Sequence, residues 1–167
     1  MPKGSRASTN TRREEIISAC ASLYETMSFK DITLNEISEL TSFSRPSIYN
    51  YFQTKEEIFL ALHQKEYELW TADLERIADA NKRLTTSQLA RELAHSLEKR
   101  ERLLKLMSMN HYDMEANSRL ECLTEFKRAY GSSMKAIVRC LDKFCPQMTA
   151  KDKQDFVYAF FPFIYGV

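Results

Sequence analysis

The stretch that decides the fold is Ser44-Arg45-Pro46-Ser47-Ile48-Tyr49-Asn50-Tyr51-Phe52-Gln53-Thr54-Lys55-Glu56-Glu57. Ser44 can cap a helix whose first turn holds Pro46, where the missing amide costs no hydrogen bond. Ile48 and Phe52 lie four residues apart and so share a face that seeks a core. Arg45, Ser47, Tyr49, Asn50 and Tyr51 are left on the remaining faces. Gln53-Thr54 breaks the run. Thr54 with Glu57 then spells a capping box that opens a long helix to about Ala80, with Ile58, Phe59, Leu62, Leu69 and Ile77 on its apolar side.

Upstream, Thr33 and Glu36 form another capping box, opening a two-turn helix with Leu34, Ile37 and Leu40 inward and Thr41-Ser42-Phe43 at its end. Before it, a turn at Ser28-Phe29-Lys30-Asp31 follows a stripe of Ile16, Cys20, Leu23, Tyr24 and Met27 at helical spacing. A two-turn helix, a tight turn and a second short helix have the spacing of a helix-turn-helix. That arrangement suits DNA, because the second helix can enter the major groove while the first packs across it. Reading base edges needs Arg and short polar groups near the second helix's start, which Arg45, Ser47 and Asn50 supply. Holding phosphates needs hydroxyls and ammonium groups, which Thr33, Tyr49, Tyr51 and Lys55 supply. The competing reading of the same helices is plain core packing in a helical adaptor that binds a protein partner and no DNA.

Downstream the pattern stays helical. Leu89, Leu93 and Leu97 mark one amphipathic helix from Ser87, and Leu103, Leu104 and Met107 begin the next. Leu120, Leu123, Phe126, Tyr130, Met134, Ile137, Leu141 and Phe144 mark a longer one that Cys145-Pro146 stops. Thr149 starts the last, which holds Phe156, Phe160, Phe161, Phe163 and Ile164 and is still apolar at Val167, where a partner surface or further chain is expected. The fold class is all-α.

Composition narrows the chemistry. The 167 residues contain 3 glycines, 4 cysteines and 3 histidines, with a net charge of +1. Phosphate-cradling loops and dinucleotide fingerprints need clustered glycines, and Gly4, Gly131 and Gly166 form no cluster. The cysteines Cys20, Cys122, Cys140 and Cys145 have neither a CxxC nor a Cys/His ligand spacing, so reduced thiols in a cytoplasmic protein are expected. Neither a signal peptide nor an 18-residue apolar span opens or interrupts the chain. Glu92 and His95 form a Glu-x-x-His pair of the di-iron type, but Leu60 and Ser108 precede His63 and His111 where a second copy needs Glu. No metal, no cofactor and no catalytic constellation are therefore expected, and the chain is not read as an enzyme.

Charge is unevenly spread. Residues 1–13 carry Lys3, Arg6, Arg12 and Arg13 without an acid, and are read as a basic arm preceding the first helix. Residues 14–62 hold only Lys30, Arg45 and Lys55 against eight acids (Glu14, Glu15, Glu25, Asp31, Glu36, Glu39, Glu56 and Glu57). Any surface for a polyanion there must be arranged locally.

Residues 12–60 resemble the DNA-binding domain of TetR-type transcriptional regulators. The resemblance is carried by Arg13-x-x-Ile16, Leu23-Tyr24, Phe29-x-x-Ile32-Thr33-x-x-x-Ile37 and the Ser44 to Ile58 string, above all Tyr49-x-x-Phe52-x-x-Lys55-Glu56. It implies an N-terminal three-helix helix-turn-helix domain over 14–62 and a helical effector-binding and dimerisation domain over 63–167. Arg45, Pro46, Ser47 and Asn50 would then face the major groove, and Thr33, Tyr49, Tyr51 and Lys55 would hold phosphates. The expected partners are double-stranded DNA with a palindromic operator, a second copy of the chain through the C-terminal helices, and a small-molecule effector that releases a repressor. Trp70, Met107, Tyr112, Phe126, Tyr130 and Phe160 are candidate effector contacts that would serve equally as core. The family usually has glycine where Ser28 and Ser42 stand, so both turns must form here without glycine's access to positive φ.

Overall fold

The computed structural model describes residues 4–109 and 111–166, with side chains described for 9–109 and 114–166. The described residues form nine helices: α1 (Gly4–Thr26), α2 (Leu34–Glu39), α3 (Arg45–Ile48), α4 (Lys55–Ala80), α5 (Thr86–Glu98), α6 (Glu101–Met107), α7 (His111–Ala116), α8 (Leu120–Phe144) and α9 (Ala150–Tyr165). No strand occurs among them. The chain divides into two compact units, one made of residues 1–62 and 110–124, the other of 63–109 and 125–167. The return of residues 110–124 to the first unit was not legible in the sequence.

In the first unit α1 packs on α2 and α2 on α3. Its core is Ile16, Ile17, Cys20, Tyr24, Ile32, Ile37, Ile48, Phe52, Ile58 and Phe59, all buried. The Phe59 ring takes Tyr24 and Phe29 edge-on, at centroid separations of 5.2 and 4.8 Å. These are the favoured geometries for aromatic quadrupoles. Leu40, expected inward, is 53% exposed. It is the C-cap of α2, where the helix ends before its apolar stripe can continue. The basic segment differs too: α1 begins at Gly4, so residues 4–13 belong to the first helix and do not precede it. The Lys3 and Arg6 side chains lie outside the described residues. Arg12 is exposed, and the Arg13 guanidinium sits 5.1 Å from the centre of the Phe52 ring.

In the second unit α5 packs on α6 and α6 on α9. Capping boxes start α5 (Thr85 with Gln88) and α9 (Thr149 with Asp152), each satisfying two amides that helix geometry leaves unpaired. Leu69, expected on the apolar side of α4, is 41% exposed. Its neighbour Trp70 is fully buried instead, and its indole N–H donates to Ser96 Oγ at 3.0 Å. α9 continues helically through Pro162.

Candidate nucleic-acid interface

Both turns around α2 are built without glycine. No described residue has positive φ. At the first turn the Asp31 amide donates to the Ser28 carbonyl at 3.1 Å, and Ser28 Oγ donates to Asp31 Oδ2 at 2.5 Å. At the second, both the amide and the hydroxyl of Ser42 donate to the carboxylate of Glu15 on α1, the hydroxyl at 3.1 Å. Side-chain bonds thus close turns that a left-handed residue would otherwise close.

The face between those turns is open. Ile48 and Phe52 are fully buried, while Arg45, Pro46, Tyr49 and Asn50 are exposed and Ser47 is half-buried. Arg45 is held over the start of α2: Nη1 donates to Asn35 Oδ1 at 3.2 Å and Nη2 to Tyr49 Oη at 3.3 Å. Asn35 escaped the sequence reading, because nothing in its spacing marks it. It becomes relevant only when α2 and α3 pack.

Two of the expected phosphate contacts are partly committed elsewhere. Thr33 Oγ1 accepts from the Asn35 amide at 3.2 Å and donates to Glu36, whose carboxylate also takes the Thr33 amide at 2.7 Å. Those bonds, from the Thr33 hydroxyl and then its amide, hold Glu36 below the usual carboxylate range. Lys55 is half-buried, not a free surface ammonium. Nζ donates to the carbonyls of Phe29 at 2.8 Å and Ile32 at 3.0 Å, and stands 4.3 Å from the centre of the Phe29 ring. An ammonium has three protons, and these bonds place two of them. Tyr51 is half-buried, its ring centroid 6.2 Å from that of Phe43.

The start of α4 also corrects the expected capping box. The Glu57 amide donates to Thr54 Oγ1 at 3.2 Å, as a cap requires, but the Glu57 carboxylate does not return to Thr54. Fully buried, it accepts from the Gln53 amide at 2.8 Å, and from the Arg119 amide, Nε and Nη2 at 3.0, 2.7 and 2.8 Å. Burial alone would raise its pKa; the Arg119 side chain and the two amides outweigh that and bring it below the ordinary value. Of the eight acids in 14–62, Glu15, Asp31, Glu36 and Glu57 are therefore acceptors of intramolecular bonds. The amide and hydroxyl donors leave the carboxylate charges in place, and Arg119 offsets that of Glu57.

The expected effector contacts fall into a buried aromatic cluster, for the most part. Tyr67 links Trp70, Phe126 and Tyr130 at centroid separations of 6.5, 6.0 and 5.4 Å. Phe161 meets Trp70 at 5.9 Å and Tyr130 at 5.3 Å, and Phe160 joins through Phe161 at 6.0 Å. Met107 is buried on α6, and the Tyr112 side chain lies outside the described residues. His63, stacked 4.7 Å above Tyr67, and Tyr165, hydrogen-bonded to the hydroxyls of Tyr67 and Tyr130, were missed. Burial, foremost, pushes both tyrosines above their ordinary pKa. Glu92 and His95 line a small polar pocket of about 180 Å³ with Asp73 and Arg76, and no group of three or more potential metal ligands occurs among the described residues.

An open recognition ridge on a short helix pair, followed by a helical unit with an aromatic interior, defines the helix-turn-helix class of DNA-binding regulators. The family models agree: residues 16–62 match the bacterial regulatory proteins of the tetR family, and residues 64–167 match the tetracyclin repressor-like C-terminal domain. The chain belongs to the TetR family and is a DNA-binding transcriptional regulator. No curated protein sequence matches it. No helix among the described residues is long and apolar enough to cross a membrane.

Proposed function

We propose that the protein is a cytoplasmic repressor that binds a palindromic operator as a homodimer and is released by a small-molecule effector. The observation that carries the reading is the exposed ridge of Arg45, Pro46, Tyr49 and Asn50, with Ile48 and Phe52 as its buried anchors. Arg45 donates in a bidentate fork to a guanine, and Ser47 and Asn50 reach neighbouring bases. Thr33, Tyr49, Tyr51 and the third proton of Lys55 position the backbone.

A two-fold dimer sets two such ridges about 34–36 Å apart, which is why the operator is expected to be palindromic. The dimer reading is supported by α8 and α9. Met134, Val138, Val157 and Tyr158 line a groove of about 490 Å³ between them, and Tyr158 and Phe163 are 62% and 68% exposed on α9. An effector that enters the cluster around Tyr67 and favours a differently spaced dimer needs a coupling of about 1–3 kcal/mol to release DNA 5–150-fold. Selection of bound oligonucleotides from a random pool, followed by a screen of small molecules for release, tests the reading. Enrichment of an inverted repeat supports it. An unenriched pool from folded protein overturns it.

A further inference from the structure

The unit that contains the helix-turn-helix is discontinuous in sequence: it includes residues 110–124, between α6 and the body of α8. That returning segment is fastened at one corner, where α3 gives way to α4. Arg119, just ahead of α8, forks onto Glu57 through Nε and Nη2 at 2.7 and 2.8 Å, and its amide adds a third bond at 3.0 Å. Nη2 also donates to the carbonyl of Tyr51 at 3.3 Å. Two residues earlier, the carbonyl of Asn117 accepts from Thr54 Oγ1 at 2.9 Å. Glu57 in turn holds the Gln53 amide at 2.8 Å. Every residue from Tyr51 to Thr54 except Phe52 is thereby hydrogen-bonded to this pair or its flank, and Phe52 is a core anchor.

We propose that Arg119 is a positioning residue for DNA binding, acting through Glu57 and Tyr51 to fix the corner on which the recognition helix and Lys55 are carried. The inference rests on the reading of that helix as the groove-facing element.

The physical reason is the isolation of Glu57. Its carboxylate is fully buried and holds four N–H donors, of which the Arg119 side chain supplies two. An ionised carboxylate cannot remain buried with half its donors removed, so it turns toward water and releases the Gln53 amide. The break then appears at Tyr51 to Gln53, starting two residues after Tyr49 and six after Arg45. A fork is essential, since a lysine ammonium cannot satisfy both carboxylate oxygens and the Tyr51 carbonyl in one plane.

The test uses the full chain, with DNA from the random-pool selection, and compares Arg119→Ala, Arg119→Lys and Glu57→Gln with wild type. Operator affinity, its salt dependence and amide hydrogen exchange are measured at a temperature where each variant is folded. The expected result for Arg119→Ala is a loss of affinity of about tenfold with an unchanged salt slope. Faster exchange should be confined to the 51–54 corner, with intermediate values for Arg119→Lys. Because Glu57→Gln keeps the shape but removes the charge and turns one accepting oxygen into an NH2 donor, it loosens the same corner and reports on it if Arg119→Ala does not fold. Wild-type affinity in both Arg119→Ala and Glu57→Gln would overturn the proposal. So would a fall in salt slope of about one unit for Arg119→Ala, which would make Arg119 a phosphate contact. Failure of the wild type itself to enrich or bind DNA would instead strike the groove-facing reading beneath it.

Discussion

In the first unit α2 and α3 are six and four residues long, whereas α8, most of which lies in the second unit, and α9 run for 25 and 16. Helices of one or two turns are not stable by themselves, since nucleation costs are spread over too few bonds. The first unit compensates with directional bonds at each corner: Glu15 to Ser42, Lys55 to Phe29 and Ile32, and Arg119 to Glu57 and Tyr51. The second unit relies on a chain of rings, in which Tyr67 meets Trp70, Phe126 and Tyr130, and Phe161 meets Trp70 and Tyr130. The contrast teaches where each unit is vulnerable. A ring deletion should damage the second unit's stability, whereas a polar deletion in the first should change what the surface does.

The largest effect is expected from Phe161→Ala. Phe161 is 1% exposed and touches Trp70, Tyr130 and Phe160. Emptying that site should cost about 3–5 kcal/mol, read from urea unfolding. A cost below about 1 kcal/mol would mean that the cluster is loosely packed and that the contrast between units is false.

Arg45→Ala should do the reverse. Arg45 is exposed and donates to the Asn35 and Tyr49 side chains, themselves on the surface of α2 and α3, so global stability should move by no more than about 0.5 kcal/mol. Discrimination at one base pair per half-site should fall by about 1–3 kcal/mol, measured by selection profiles of wild type and variant. Identical profiles would remove Arg45 from base readout.

Lys55→Ala lies between the two behaviours. Loss of the bonds to Phe29 and Ile32 should cost about 1.5 kcal/mol of stability. Loss of the third proton's phosphate should flatten the salt dependence by about one unit and weaken all DNA sequences alike. A stability loss with an untouched salt slope would leave Lys55 as a corner brace and nothing more.

What was legible in the sequence follows the same division. Ile48 and Phe52 as anchors, the Thr33 capping box and the exposure of Arg45, Tyr49 and Asn50 are all consequences of spacing within a dozen residues. The commitment of Glu57 to Arg119 was not legible, because a Thr-x-x-Glu spacing gives the local partner, whereas a carboxylate buried by tertiary packing goes to the strongest donor available. Asn35 beside Arg45 and Tyr165 beside Tyr67 and Tyr130 were hidden for a related reason: each contact joins elements whose packing angle no local pattern specifies. The helical start at Gly4 was hidden because residues 4–13 lack the apolar stripe that marks a helix in sequence.

The smallest prediction bears on a turn whose usual family residue is absent. If glycine's freedom were needed between α2 and α3, Ser42→Gly would relieve strain and stabilise the protein. But no described residue there has positive φ, and Ser42 holds Glu15 through its amide and its hydroxyl. Glycine at this site would keep the amide bond, lose the hydroxyl bond and widen the unfolded ensemble. Ser42→Gly is therefore expected to destabilise the protein by about 0.5–1 kcal/mol in urea unfolding. A gain in stability would show that the serine turn is strained, and that directional side-chain bonds do not substitute for backbone freedom in the first unit.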